Sequence, residues 1–331
     1  MSIKELLSQV NQDVKDIFGK SIETTTAYVV PSRDDPGLTF PLGSDKKGKT
    51  IKTCVLMVDV RNSTKISKSL SKDKIRLGKI YSAFIHAMAT IADEYGYVRN
   101  IVGDRVMVVF EPKNCYVNAL NCAEVMNTVA TRILATHVGI DDFKVGIGID
   151  FGEMLVLKTG IRKKHDEQSE YKSLVWVGDA ANIASKLTDV ATKKIETQKY
   201  KVRHEPRRRY VIRLGGSNSL PPSRYLPAQD SIFTKEQIAD KLFVNSDGKG
   251  FGLSAGIIHK IEKLDLETRT IPNILMTESV YSELSKSNRS ELYNASGTLL
   301  YTEIRDHEFK DVSGRVFGGD VYYTHIEEIL K

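Results

Sequence analysis

Apolar positions along the chain change period several times, and each change predicts an element. Ile3, Leu6, Leu7, Val10, Val14, Ile17 and Phe18 recur at helical spacing with acids and lysines between them. This predicts an amphipathic N-terminal helix packed against its own domain or a second subunit. Residues 53–60, TCVLMVDV, are a short apolar run suited to a buried strand. Beyond it, Ile80, Phe84, Ala87, Met88, Ile91 and Tyr95 fall at i, i+3, i+4 spacing, predicting a helix of about six turns stopped by Gly96. YVRNIV and RVMVVF flank Gly103-Asp104 and read as a hairpin. A second helix is predicted over residues 116–137, carried by Ala119, Leu120, Ala123, Met126, Ala130, Ile133 and Leu134. FKVGIGIDFG then supplies another strand.

The resulting order, β-α-β-β-α-β, is an α+β, ferredoxin-like (split βαβ) unit. Its first two strands run in the same direction because a crossover helix joins them. The end of the first strand, with Asp59, therefore lies at the same sheet edge as the turn after the second, with Asp104. Two carboxylates brought together repel unless they share a proton or bind a cation. Hard oxygen ligands suit Mg²⁺ or Mn²⁺, and such pairs clamp triphosphates for in-line attack. The ordinary alternative is a turn aspartate beside a strand-end helix cap.

Composition narrows the setting. With 331 residues and 41% apolar content, the chain can bury a full core in one large or two small domains. No stretch has the length of a transmembrane span, and the N-terminal helix lacks the unbroken apolar centre of a signal peptide. Cys54, Cys115 and Cys122 have no C-x-x-C spacing, and the seven histidines form no H-x-x-x-H pair. Neither a zinc site nor a disulfide framework is indicated, so cytoplasmic localisation is expected. The net charge of +6 is uneven, with ten Lys/Arg against Glu196 and Glu205 between Lys193 and Arg224. Such a tract binds a polyanion or is simply a solvated insertion. GSDKKGKT, from Gly43, matches the phosphate-loop pattern, but prolines precede it and an apolar β-type run follows. Without a strand before and a helix after, it reads as a charged surface loop.

LMVDVRNSTKIS, VRNIVGDRVMVVF, VGIGIDFGEMLVL and LVWVGDAANIASKL resemble the successive motifs of class III nucleotidyl cyclase catalytic domains. The likeness runs over residues 53–191 and resumes near Ile274, in ILMTESVYSEL and FKDVSGRVFGGDVYY. It implies a homodimer with two sites at its interface, each using two Mn²⁺ or Mg²⁺ ions. The metal positions are Asp59, Asp104 and the carbonyl of Val60; the phosphate-binding backbone is Arg61, Asn62, Ser63 and Thr64. Asn182 and Lys186 match the pair that stabilises the transition state from the other subunit, and Arg162 matches a further phosphate-binding arginine. No residue stands out as a general base. The expected organisation is an N-terminal helix and loop over residues 1–50 and a catalytic domain over 51–331, with an insertion at about 192–270 before the last strands. KEQIADKLF is a short helix within that insertion. FGGDVY resembles a diguanylate cyclase motif but lies away from the hairpin, and reads as a turn before a strand DVYYTHI.

Two departures bear on the substrate. Where purine cyclases carry a base-binding Lys this chain has Asn100, preceded by Arg99, and where they carry Asp or Thr it has Val175. Losing both base-reading groups changes the substrate or the activity. Asn100 offers donor and acceptor together and Arg99 only donors, favouring uracil over cytosine. Lys186 replaces the usual Arg, one point charge for a bidentate fork. With DVRNST and VPSRDDPGLTFPLG, the pattern resembles the pyrimidine cyclases of bacterial Pycsar anti-phage operons. The implied function is conversion of UTP, or CTP, to a cyclic monophosphate that activates a separate effector, with no membrane or nucleic-acid partner. The alternatives are an adenylate cyclase with altered base contacts, or a silent nucleotide- or nucleic-acid-binding module.

Overall fold

A computed structural model of the chain describes residues 1–19, 21–43, 45–140, 143–160, 172–206, 226–244, 251–253, 256–305, 309 and 312–328. Contacts divide the chain into two units, Met1–Lys193 with Ile271–Lys331, and Lys194–Thr270.

The first unit carries, in chain order, α1 (Ile3–Gly19), β1 (Glu23–Thr26), β2 (Lys47–Val60), α2 (Ser63–Ser69), α3 (Lys74–Tyr95), β3 (Tyr97–Val102) and β4 (Arg105–Val109). There follow α4 (Cys115–Thr128), α5 (Ala135–Val138), β5 (Val145–Gly160), β6 (Lys172–Val177) and α6 (Asp179–Val190). After the second unit come β7 (Ile274–Thr277), α7 (Glu278–Ser287), β8 (Thr302–Glu303) and β9 (Val316–Gly319). The strands form one sheet in the order β8-β9-β7-β5-β2-β4-β3, with β1 parallel to the start of β2 and β6 antiparallel to the end of β5. Its centre, β5-β2-β4-β3, is the expected ferredoxin-like core, all antiparallel.

Side chains of β2 alternate between two apolar layers. Cys54, Leu56, Val58 and Val60 join Phe84 and Met88 of α3, Leu120 and Met126 of α4 and Leu284 of α7. Ile51 and Val55 face the other way, toward Ala180, Ala181 and Ala184 of α6 and toward Ala27, Val30 and Leu38. With both faces covered, β2 reads as a continuous apolar run, and each fully buried large side chain contributes about 1.5–3 kcal/mol. α3 starts where the Asp73 carboxylate accepts from Arg76 N–H at 2.9 Å and stops at Gly96. The second predicted helix is α4, continued by a π-helical segment, Val129–Leu134, into α5. α6 lies close on β5 because of two glycines. A Cβ at Gly148 would strike the Ala184 carbonyl, and one at Gly146 would lie 2.7 Å from the Thr188 carbonyl.

Several expectations are corrected. GSDKKGKT is only in part a surface loop: Gly43 and Asp45 are exposed, but Lys47 to Thr50 begin β2, and the Lys46 side chain is buried and donates to the Asp16 carbonyl. Residues 23–40, expected as loop, contribute β1 and the buried Ala27, Val30, Leu38 and Phe40. FGGDVY is not a turn before a strand, because Phe317, Gly318 and Gly319 themselves form β9 against β7. No residue of α1 is buried: Ile3, Leu6, Leu7, Val10, Val14 and Phe18 of its apolar stripe are exposed and Ile17 is half-buried. α1 is tied down near its end by Asp16, whose carboxylate accepts from Gly43 N–H at 2.7 Å.

The second unit is a five-stranded antiparallel sheet ordered Gln229–Thr234, Lys194–Pro206, Gly256–Thr270, Phe251–Leu253, Leu242–Val244, with a helix over Lys235–Lys241. The chain leaves and re-enters the first unit at adjacent points, where Ile271 N–H donates to the Lys193 carbonyl at 2.9 Å. Among the described residues, no helix is long and apolar enough to cross a membrane.

Candidate active site

β2 and β4 pair with Asp59 opposite Arg105, which sets Asp104 at the turn beside the end of β2. Gly103, at φ +62°, makes the tight turn. The two carboxylates thus meet at one sheet edge, and Asp59 is no helix cap: α2 is preceded by Asn62, which makes no side-chain cap bond. Burial pushes the Asp59 carboxyl above the usual carboxylate value; the Arg105 hydrogen bond opposes this and the Asp104 charge adds to it. Asp104 Oδ2 is buried with no hydrogen-bond partner.

Two arginines surround the pair. Arg105 Nη2 donates to Asp59 Oδ2 at 2.8 Å and to Asp189 Oδ1 at 2.5 Å, and its Nη1 donates to Ser185 Oγ at 2.6 Å. Arg61 turns away from the strand end to the last turn of α6. Its Nη1 donates to the Thr188 carbonyl, Nη2 to the Asp189 carbonyl and Nε to Thr192 Oγ1, at 2.9, 3.1 and 3.0 Å. The Arg61 side chain is therefore committed to α6. Asn62 adopts a left-handed conformation, φ 58°, and turns the chain into α2, whose first amides at Ser63 and Thr64 belong to a helix start and lack intrahelical acceptors. Arg105 was not singled out in the sequence, although it adjoins Asp104; an arginine next to a candidate metal ligand was the available signal.

These residues fit a divalent cation. One carboxylate oxygen is buried and orphaned, a second carboxylate stands beside it, and the Val60 backbone ends the same strand. Three carboxylates (Asp59, Asp104, Asp189) and two guanidiniums (Arg61, Arg105) gather there. Among the described residues no cluster of three or more His, Cys, Asp or Glu side chains could hold a metal. A pair of carboxylates beside a strand-end carbonyl is the kind of donor set a hard divalent cation takes, its shell completed by water and substrate phosphates.

The base-side candidates separate. A bulge in β3 pairs Val98 with Val108 but Asn100 with Met107. Asn100 thereby shares the face of Met107 and Asp59, where unbroken alternation would have turned it to the α3 side. It lines a cavity of about 380 Å³ with Arg33, Asp34, Arg99 and Leu174. Asp34 is ion-paired there to the buried Lys172 at 2.7 Å. Arg99 is half-buried. Its Nη1 donates to the Val98 carbonyl at 3.2 Å, it stacks on the Tyr97 ring at 4.7 Å, and its Nε is buried without a partner. Leu174 points into the cavity, so its neighbour Val175, 43% exposed, lies on the other side of β6.

Asn182 and Lys186 sit on α6, the first exposed and the second half-buried, on one stripe with Ser185 and Asp189. α6 runs antiparallel to β5, so that Thr188 is beside Gly146, the partner of Asp59. Asn182 is six residues back, about 9 Å along the helix. Within one chain the structure does not bring it to the carboxylates. Arg162 lies outside the described residues.

No protein-family model matches the chain. It is 29% identical to a uridylate cyclase of Gulbenkiania mobilis, over 54% of this chain and 69% of that protein. It is 32% identical to a uridylate cyclase of Burkholderia cepacia, over 57% of this chain and 79% of that one. A cytidylate cyclase of Staphylococcus aureus is 28% identical over 43% of this chain and 34% of its own length.

Proposed function

The chain belongs to the class III nucleotidyl cyclases, the family of its uridylate and cytidylate cyclase relatives, and on that premise we propose that it converts a pyrimidine nucleoside triphosphate, UTP ahead of CTP, to the 3′,5′-cyclic monophosphate and pyrophosphate. One observation carries the catalytic part: Asp59 and Asp104 meet at one sheet edge, with Asp104 Oδ2 buried and unpartnered. The pyrimidine part is supported by the relatives and by Asn100, turned by the β3 bulge into the cavity where purine cyclases carry Lys.

Class III cyclases use Mg²⁺ or Mn²⁺, and here Asp59, Asp104 and the Val60 carbonyl would hold two ions. Bound there, the ions would acidify the ribose 3′-hydroxyl and neutralise charge on the phosphates. In the reaction the 3′-oxygen bonds to the α-phosphorus and its proton passes to solvent. The bond from the α-phosphorus to the bridging oxygen breaks, and pyrophosphate leaves with the electron pair. The backbone of Arg61, Asn62, Ser63 and Thr64 directs helix-start amides at the phosphates. Asn182 and Lys186 stabilise the charge developing on the α-phosphate. Because α6 holds Asn182 about 9 Å from its own Asp59 level, Asn182 and Lys186 on the same stripe serve the site of a second copy, and the working enzyme is a homodimer. In keeping with the Pycsar resemblance, the product would act as a second messenger in anti-phage defence, read by a separate effector.

Turnover of each triphosphate singly with Mn²⁺ tests this. Cyclic UMP or cyclic CMP, absent from Asp59→Ala and Asp104→Ala, is the expected product. Cyclic AMP alone would return the chain to the adenylate cyclases, and no cyclic product from any of the four would contradict a cyclase.

A further inference from the structure

Asp59 is already in contact with a cation that belongs to the chain. Arg105 Nη2 meets its Oδ2 at 2.8 Å, while the same guanidinium holds Ser185 and Asp189 of α6. The charges that bear on Asp59 are Arg105, Arg61 and Asp104. Arg61 is committed to the carbonyls of Thr188 and Asp189 and to Thr192, which leaves Arg105 as the group on the Asp59 oxygen itself. A guanidinium hydrogen needs the same lone pairs that a hard divalent cation needs. Two cations on that oxygen repel each other, so each weakens the hold of the other.

Resting on the reading of Asp59 and Asp104 as metal ligands, we propose that Arg105 is a positioning residue that competes with the metal for Asp59, released onto Ser185 and Asp189 when a divalent cation takes the carboxylate. The arrangement suits such an exchange. Arg105 has two holding partners on α6 besides Asp59, so it keeps two hydrogen bonds after letting go. Those partners share one helix stripe with Asn182 and Lys186, so metal arrival at one site leaves the Arg105 charge wholly to the helix that serves the other. Arg105 therefore sets the metal concentration at which the site fills, and links that filling to α6.

The test uses Mn²⁺ alone, with no nucleotide, and reads free Mn²⁺ by electron paramagnetic resonance during titration of the full chain. Wild-type protein binds Mn²⁺, and Asp59→Asn and Asp104→Asn each abolish that binding. Arg105→Met binds roughly tenfold more tightly, because a unit positive charge beside the incoming ion is gone. Arg105→Lys, which keeps the charge, stays near wild type. Tightening is the informative sign, since a variant that merely disordered the site would bind more weakly. Arg105→Gln repeats the measurement should the methionine variant not fold. As a second readout, Mn²⁺ alters amide hydrogen exchange in the last turn of α6 in wild type but not in Arg105→Met. Unchanged or weaker binding by Arg105→Met, with wild-type binding still dependent on Asp59, overturns this proposal and leaves the metal site standing. Wild-type protein whose Mn²⁺ binding ignores Asp59 and Asp104 overturns the metal reading and the proposal together.

Discussion

Arg61 clamps the end of α6 through Thr188, donating to its carbonyl at 2.9 Å from a position two residues beyond Asp59. The last carbonyls of a helix lack intrahelical donors, and a cation there also meets the negative end of the helix dipole. Arg61→Met should cost about 1–3 kcal/mol, the range for a charged hydrogen bond at a helix end. Turnover should fall, with the order of preference among triphosphates unchanged. Urea unfolding and product ratios check the two halves separately.

Gly148 lets α6 approach β5, and a Cβ there would strike the Ala184 carbonyl and lie 2.7 Å from Thr188 N. Gly148→Ala should cost about 1–3 kcal/mol as α6 is displaced. Because that helix carries Asn182 and Lys186, kcat should fall further than the loss of folded protein explains.

Glu124 tests the core without touching the site. Burial pushes its carboxyl above the ordinary glutamate value, against the hydrogen bonds from Tyr301 and Tyr323. The folded state therefore holds the proton more tightly than the unfolded chain. This stabilisation is complete below the unfolded value and is lost as pH rises through the folded one. Glu124→Gln, which cannot ionise, should be stabilised relative to wild type more at pH 8 than at pH 4, read from urea midpoints.

Shared sites predict complementation. Asp59→Ala and Asn182→Ala homodimers should both be nearly inactive. Mixed and re-equilibrated, about half the dimers are heterodimers with one intact site, so about a quarter of wild-type activity should return. No recovery would place Asn182 and Asp59 in the same chain's site.

The meeting of Asp59 and Asp104 was legible in the sequence because strand direction follows from topology, and topology from the alternation of helical and strand periods. The face of Asn100 was not, since one bulge at Arg99 reverses the alternation and no residue type announces it. The side-chain contacts of Arg61 and Arg105 were hidden for another reason: their partners, Thr188, Ser185 and Asp189, lie more than seventy positions away. The strands of the second unit were not legible because few of their described side chains are buried. Val202 and His204 face inward, while cross-strand ion pairs such as Lys201–Asp230 at 3.1 Å replace the apolar alternation that marks a strand. GSDKKGKT shows the converse: a charged surface pattern belongs partly to β2, because Lys46 finds a buried carbonyl.

The central claim is a cyclase whose base pocket reads a pyrimidine. The most direct measurement offers purified protein equimolar ATP, GTP, CTP and UTP together with Mn²⁺, and identifies the cyclic products by mass spectrometry. Cyclic UMP in excess, with cyclic CMP behind it and neither formed by Asp104→Ala, is the predicted result. Cyclic AMP or cyclic GMP as the main product would contradict it.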